Sequence, residues 1–268
     1  MRTKNSVTGL SAESTGCLKN WSSLHNPMIR HFLHSIFIIV YVVLATAVMA
    51  TVVIVVAFFS RDGNAPHLVA RAWARSILFI SGIHVHVNGL ENLNIGGSCI
   101  LMPNHQSNFD IPVLLGCLPV QFRWLAKAEL FKIPIFGRGM RGCGYISIDR
   151  SNRKLAFQSL AEAATKIRNG VSVLIFPEGT RSWDGKILPF KKGGFVLSVD
   201  AGVPIVPVVI FNTWSIMPKG RLLIRTRSVR MDILAPIPTS GYTRETKDDL
   251  MDTVRKTICN AFEEKACE

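Results

Sequence analysis

The run Ile36–Phe59, IFIIVYVVLATAVMATVVIVVAFF, contains no charged side chain, and only Thr46 and Thr51 break it. A hydrocarbon core of about 30 Å is crossed by roughly 20 apolar residues in a helix, so this run is long enough to span a bilayer. Ala45-Thr46-Ala47 resembles the small-residue site of a cleaved leader. It lies inside the apolar run, however, and the run exceeds the usual leader core of about 7–15 residues. The run is therefore read as an anchor that stays on the protein. Residues 1–27, rich in Ser, Thr and Asn, read as a mobile polar tail. Residues 28–83 hold the anchor and a following amphipathic helix from Pro66 to Ile83. In that helix Leu68, Val69, Trp73, Ile77, Leu78 and Ile80 share one face, and Arg71 and Arg75 share another. Residues 84–268, without an internal repeat or long linker, read as one domain.

Charge narrows the partners. A formal net charge of +13 calls for an acidic partner or surface. Nucleic acid is disfavoured, because no zinc-ligand spacing, RNA-binding aromatic motif or basic heptad region is present. A basic domain beside an apolar anchor fits the anionic lipids of a bilayer leaflet. Most basic residues lie after the anchor, which puts the domain on the cytoplasmic face of the inner membrane. The six cysteines, Cys17, Cys99, Cys117, Cys143, Cys259 and Cys267, show no C-x-x-C pairing and read as reduced thiols.

Beyond residue 83 the pattern is of strands separated by helices. Strands are expected at Ile83–Val87, Ser98–Met102, Tyr145–Ile148, Val171–Phe176 and Val206–Phe211, with a further alternating stretch from Arg221 to Leu234. Helical patterns follow Pro112, run from Leu155 to Ile167 before Asn169-Gly170, and cover Leu250 to Ile258. This order predicts an α/β fold with a mainly parallel central sheet flanked by helices. His84 and His86 share a strand face, but no third ligand is near in sequence, so they read as a solvated face.

Ligands of such sheets sit at the carboxyl ends of the strands. Four exits carry unusual residues. The first is PNHQSNFDIP, Pro103–Pro112, with His105 and Asp110 as its basic and acidic groups. A five-residue step is about 140° around a regular helix, so the two would not meet on one. If the helix begins near Ser107, His105 lies in the turn before it and can fold back onto Asp110. Such a carboxylate would fix the histidine tautomer and stabilise its charged form, as a general base requires. The second exit is Asp149-Arg150. The third is FPEGTRS, Phe176–Ser182, where Gly179 permits a tight turn and Arg181 offers a fork suited to a phosphate monoester. The fourth is VPIVPVV, Val203–Val209, whose prolines remove ladder donors.

Taken together and in this order, the four blocks resemble the motifs of the glycerophospholipid acyltransferases, in particular the 1-acyl-sn-glycerol-3-phosphate (lysophosphatidic acid) acyltransferases. The N-H-x₄-D block is Asn104-His105 to Asp110; G-x-x-F-I-x-R corresponds to Gly144–Arg150; F-P-E-G-T-R-S is complete at Phe176–Ser182; V-P-I-V-P-V is Val203–Val208. Lys127-Ala128-Glu129-Leu130 and Pro134–Gly137 look like the connecting segments, and the resemblance covers about residues 84–258. One departure is Ser147, where the family usually has Phe, which bears on the packing or pocket beneath it.

The resemblance implies a membrane-bound enzyme moving an acyl group from acyl-CoA or acyl-acyl carrier protein to the sn-2 hydroxyl of lysophosphatidic acid, giving phosphatidic acid. It implies His105 as general base and Asp110 as its orienting partner. Arg150 and Arg181 are assigned to the phosphate with Lys127 as a third cation, and Glu178 to the glycerol. Gly179 and Thr180 complete the phosphate and glycerol block, with amides near Gly179 for the oxyanion. Pro204 and Pro207 are read as acyl-pocket or structural residues. No metal and no cofactor beyond the acyl donor is implied. No Ser or Cys stands in a G-x-S-x-G context, so no acyl-enzyme is expected. Alternatives are a related enzyme using glycerol 3-phosphate or a lyso-aminolipid, or an inactive lipid-binding protein.

Overall fold

The computed structural model describes residues 27–60, 62–149 and 151–264. The expected polar tail (save Pro27), Arg61, Arg150, Cys17 and Cys267 lie outside the described residues. The apolar run becomes α1 (Pro27–Phe59), a single helix of 33 residues. By length and composition it suffices to cross a membrane, yet one stripe of it is buried within the protein. Ser35, Ile38, Ala50 and Val53 are buried, whereas Phe37, Val40, Leu44 and Val48 are exposed.

After α1 the chain reverses through Asp62-Gly63. The Asp62 carboxylate accepts from the Ser60 hydroxyl at 2.6 Å and the Asn64 amide at 2.9 Å. Gly63 has φ +77°, and a Cβ there would meet the Cys143 carbonyl oxygen at 2.8 Å, so the turn requires glycine. Helix α2 (Asn64–Ile80) then packs back along α1, with Trp73 Nε1 donating to Thr46 Oγ1 at 3.1 Å.

The sheet contains β1 (Val85–Asn88), β2 (Ile100–Pro103), β3 (Phe122–Lys127), β4 (Ile146–Ile148), β5 (Ser172–Leu174), β6 (Ile205–Phe211) and β7 (Val229–Ile233). Their order is β1-β7-β6-β2-β5-β3-β4. Every junction is parallel except β6–β7. This is the expected mainly parallel α/β sheet. Strand β3 is additional to the expected ones, and only the end of the alternating stretch 221–234 forms a strand. Residues 217–228 are largely irregular.

Helices α3 (Asp110–Cys117), α4 (Phe136–Gly142), α5 (Arg153–Arg168), α6 (Gly193–Ala201), α7 (Thr213–Ile216) and α8 (Lys247–Glu264) complete the fold. Side chains alternate between two cores. Leu101 and Val208 face a core shared with Ile77, Leu78 and Leu114. Ile100 and Val209 face one shared with Ile167, Phe195 and Val254. Because β2, β5, β3 and β4 run parallel, their carboxyl ends lie on one rim. His86 on β1 and His84 just before it are both exposed, as expected.

Candidate active site

The first residue beyond β2 is a fastener. Asn104 is fully buried; its side chain donates to the Ile210 carbonyl at 3.0 Å and accepts from the Ile210 amide at 2.7 Å. This prolongs the β2–β6 pairing by one residue and delivers His105 at a fixed height.

Helix α3 begins at Asp110, slightly later than the Ser107 start read from sequence. His105 therefore lies in the turn and Asp110 in the first helical turn, and His105 Nδ1 is 2.7 Å from Asp110 Oδ2. The same oxygen accepts from the amides of Gln106 at 2.7 Å and Ser107 at 2.8 Å. A carboxylate at the start of a helix thus holds amides that the helix leaves unpaired. The Ser107 hydroxyl donates to the Met217 carbonyl at 2.9 Å and locks the turn from the other side. With Nδ1 on the carboxylate, Nε2 is the nitrogen left for a substrate proton. The imidazole stacks on Phe176 with centroids 3.7 Å apart, and Phe176 stacks on Trp124 at 5.7 Å. That aromatic pile follows from Phe176 preceding the PEG turn, and the role of Trp124 becomes visible once β3 is recognised.

Glu178 is turned inward. It is 1% exposed. Oε1 accepts from the His105 amide at 2.6 Å and Oε2 from the Leu188 amide at 2.8 Å. The Ser182 amide returns a bond to the His105 carbonyl at 2.9 Å. Both oxygens are thus occupied by backbone donors, and the carboxylate holds the His105 loop rather than facing the open cavity. Burial raises its pKa from 4.5 to about 7, against the pull of the two amides.

A cavity of about 700 Å³ opens beside His105. Lys127, Gly179, Thr180 and Arg181 line it on the polar side. Its apolar wall includes Val42, Met49 and Val53 of α1, so this long apolar helix forms part of the site. Sequence reading gave α1 no such role. Lys127 ends β3 and is 3.1 Å from Glu129, with both side chains well exposed. Gly179 has φ +73° and its amide closes a turn onto the Phe176 carbonyl at 3.1 Å, so that amide is engaged within the loop. Arg150 lies outside the described residues. Ser147 pairs with Ala126 across β3–β4. Pro207 is buried in β6, paired in register with Met102, and Pro204 precedes that strand and accepts from the Ile100 amide at 3.0 Å. Neither proline lines the cavity.

Residues 84–211 match the family profile described as Acyltransferase. The chain is 34% identical over 191 residues to human 1-acyl-sn-glycerol-3-phosphate acyltransferase beta, covering 71% of this chain and 69% of the relative. The chain belongs to the acyltransferase family. It is likewise 36% identical over 198 residues to a chloroplastic 1-acyl-sn-glycerol-3-phosphate acyltransferase of Brassica napus, covering 73% of this chain but 56% of the plant protein. The crystal structure of the 1-acyl-sn-glycerophosphate acyltransferase PlsC from Thermotoga maritima superposes with a TM-score of 0.76 at 30% identity. That match covers 90% of this acyltransferase and 98% of the bacterial chain, so it takes in most of the helical N-terminal region as well as the sheet.

Proposed function

We propose that this acyltransferase moves a fatty acyl group from a thioester donor, acyl-CoA or acyl-acyl carrier protein, to the sn-2 hydroxyl of 1-acyl-glycerol 3-phosphate, giving phosphatidic acid. The observation that carries this reading is the 2.7 Å contact of His105 Nδ1 with Asp110 at the mouth of the apolar cavity. Nε2 takes the hydroxyl proton as the acceptor oxygen attacks the thioester carbonyl carbon. The tetrahedral intermediate then expels the thiolate, and the proton on Nε2 passes to that sulfur. Atoms and charge balance between the two substrates with no acyl-enzyme, metal or redox group. General-base help contributes typically about 10²–10⁴ in rate, so positioning of both substrates supplies much of the remainder. Arg181 and Lys127, on the cavity wall, are the cations we assign to the phosphate, with Arg150 as their partner from the second block. Glu178 is reassigned from the glycerol to holding the His105 loop.

Support for a membrane setting comes from the exposed apolar side of α1, joined to Leu222 and Leu223, which stand exposed among Arg221, Arg225 and Arg227. Such a mixture suits an anionic leaflet, and we place the catalytic domain on its cytoplasmic side. Ser35 Oγ accepts from the Ile224 amide at 2.9 Å, and near the other end of the helix Ala57 packs on Gly142. The helix thus lies along the domain, which favours its immersion in one leaflet over a perpendicular crossing.

The test is to offer the purified full chain a panel of lysophospholipids and glycerol 3-phosphate, with labelled acyl-CoA and acyl-acyl carrier protein. Phosphatidic acid from lysophosphatidic acid is expected, with His105→Ala inactive and Asp110→Asn at least about 100-fold slower. Wild-type rates in His105→Ala would overturn the mechanism. A product formed solely from another acceptor would overturn the substrate.

A further inference from the structure

Lys219 lies outside all four motif blocks, in the irregular segment after α7. Its ammonium nevertheless reaches across to the FPEGTRS loop. Nζ donates to the Arg181 carbonyl at 2.9 Å and to Thr180 Oγ1 at 3.2 Å, and it sits 4.5 Å from the centre of the Trp183 ring. One side chain therefore grips the loop at Thr180, Arg181 and Trp183. Gly220 is part of the same fit. It has φ +80°, and a Cβ there would meet Trp183 Cζ3 at 2.9 Å, so only glycine lets the segment lie this close to the indole. From beyond, Trp214 Nε1 donates to the Trp183 carbonyl at 3.1 Å.

The loop thus has two fasteners. Glu178 ties its entrance to the amides of His105 and Leu188. Lys219 ties its exit, at the two residues, Thr180 and Arg181, that line the cavity. The charge balance at this second fastener is informative. Among the described residues, Lys219 makes no ion pair with a carboxylate; its partners are two neutral oxygens and a ring face. Its positive field is therefore not cancelled locally, and it bears on the patch of cavity wall that Arg181 and Thr180 present.

We infer that Lys219 is a positioning residue for the acceptor headgroup. It sets the backbone from which Arg181 projects and adds an uncancelled charge, so that the site prefers a phosphate monoester to a zwitterionic or neutral headgroup. This rests on the acceptor reading above and adds a residue that the motif blocks do not contain. The contacts of Lys219 are with Thr180, Arg181 and Trp183, not with the His105–Asp110 pair. Its effect belongs to acceptor binding and headgroup choice.

The test uses the full chain in detergent micelles with Lys219→Met, which keeps the stem over Trp183 and removes the ammonium, and Lys219→Arg, which keeps the charge. Initial rates are measured against lysophosphatidic acid, glycerol 3-phosphate and lysophosphatidylcholine, with the donor varied separately. Losing charged hydrogen bonds and the cation is expected to raise the KM for the phosphate monoester that the wild type uses by about 10-fold or more. The kcat and the donor KM should stay within about threefold, and Lys219→Arg should recover most of the loss. Raising salt should weaken acceptor binding more steeply in the wild type than in Lys219→Met. An unchanged acceptor KM in Lys219→Met overturns the inference. So does a fall in kcat and a rise in both KM values alongside a lowered melting temperature, which is the signature of a merely structural lysine. A wild type that acylates glycerol 3-phosphate instead of lysophosphatidic acid overturns the acceptor reading alone, because the Lys219 comparison is then made on that phosphate ester. A wild type that uses only phosphate-free acceptors overturns both.

Discussion

At the scale of single residues, the site is organised by carboxylates whose surroundings differ. Asp110 stands at a helix start and collects two amides and an imidazole on one oxygen. Glu178 holds two amides but is sealed from water, and burial wins: its pKa rises to about 7. A raised carboxyl pKa means that the folded protein keeps a proton which the unfolded chain releases. Glu178 thus favours folding fully below pH 4.5, and that contribution is lost as pH climbs toward about 7. The shift of pKa converts to about 3 kcal/mol. His67 acts in the opposite sense. Burial, aided by Arg123 and Arg71, lowers its pKa from 6.5 to about 3, so its contribution grows as pH rises between those values. The clean observable is therefore a difference between variants. Relative to Glu178→Gln, the wild type should lose its stability advantage between pH 4.5 and 7, read as urea unfolding free energies across that window. Parallel curves would show that burial of Glu178 does not control its proton. The position of Glu178 at a strand exit was legible in the sequence, but its direction was not. Whether a carboxylate faces a ligand or two backbone amides depends on Leu188, ten residues on, and on a loop path that no local pattern encodes.

At the scale of elements, the legible pieces were those with a simple period or a boundary signal. Helix α5 shows both, with Asn152 capping the Leu155 amide at 3.2 Å and Asn169-Gly170 ending it. Strand β3 was hidden because Arg123 sits within it. That guanidinium is 3% exposed and bonds to Gln121, to the Phe122 and Asp62 carbonyls and to Asn64, a burial that looks polar in the sequence. Helices α4 and α6 were missed for another reason: FGRGMRG and GGFVLSVDA are short and glycine-bearing, and packing rather than propensity makes them helical. The glycines of α4 are where α1 docks. A Cβ at Gly139 would lie 3.4 Å from Ala50 Cβ, and one at Gly142 3.0 Å from Ala57 Cβ. Larger side chains there would push α1 off its seat. Gly142→Val is expected to destabilise the protein by about 1–3 kcal/mol through overpacking. Adding Ala57→Gly should return part of that loss, because the two positions touch. Thermal unfolding of the four proteins of this cycle in detergent gives the coupling directly, and strictly additive effects would mean that α4 and α1 do not pack through this pair.

At the scale of the whole molecule, the sheet order could not be read from the chain, because pairings such as β2 between β5 and β6 join segments many residues apart. That order nevertheless decides the chemistry, since it gathers His105, Lys127 and Glu178 on one rim and leaves α1 to close the cavity from the side. The long apolar helix is therefore a wall of the site. Its contacts with the domain run from Ser35 against Ile224 to Ala57 against Gly142. At a rise of 1.5 Å per residue that docked stretch is about 33 Å long, comparable with a hydrocarbon core of about 30 Å. A perpendicular crossing would pull the flank of the domain, with Arg138 and Arg141 on α4 and the arginines of residues 221–227, through hydrocarbon, at a prohibitive desolvation cost. Lying in one leaflet, the arrangement proposed above, would cost no such burial. Single cysteines introduced as Met28→Cys and Phe59→Cys, in a background freed of the native thiols, should then react with a membrane-impermeant maleimide from the same side of sealed vesicles. Labelling of the two ends from opposite sides would show that α1 crosses, and would require the domain to part from the helix that lines its cavity.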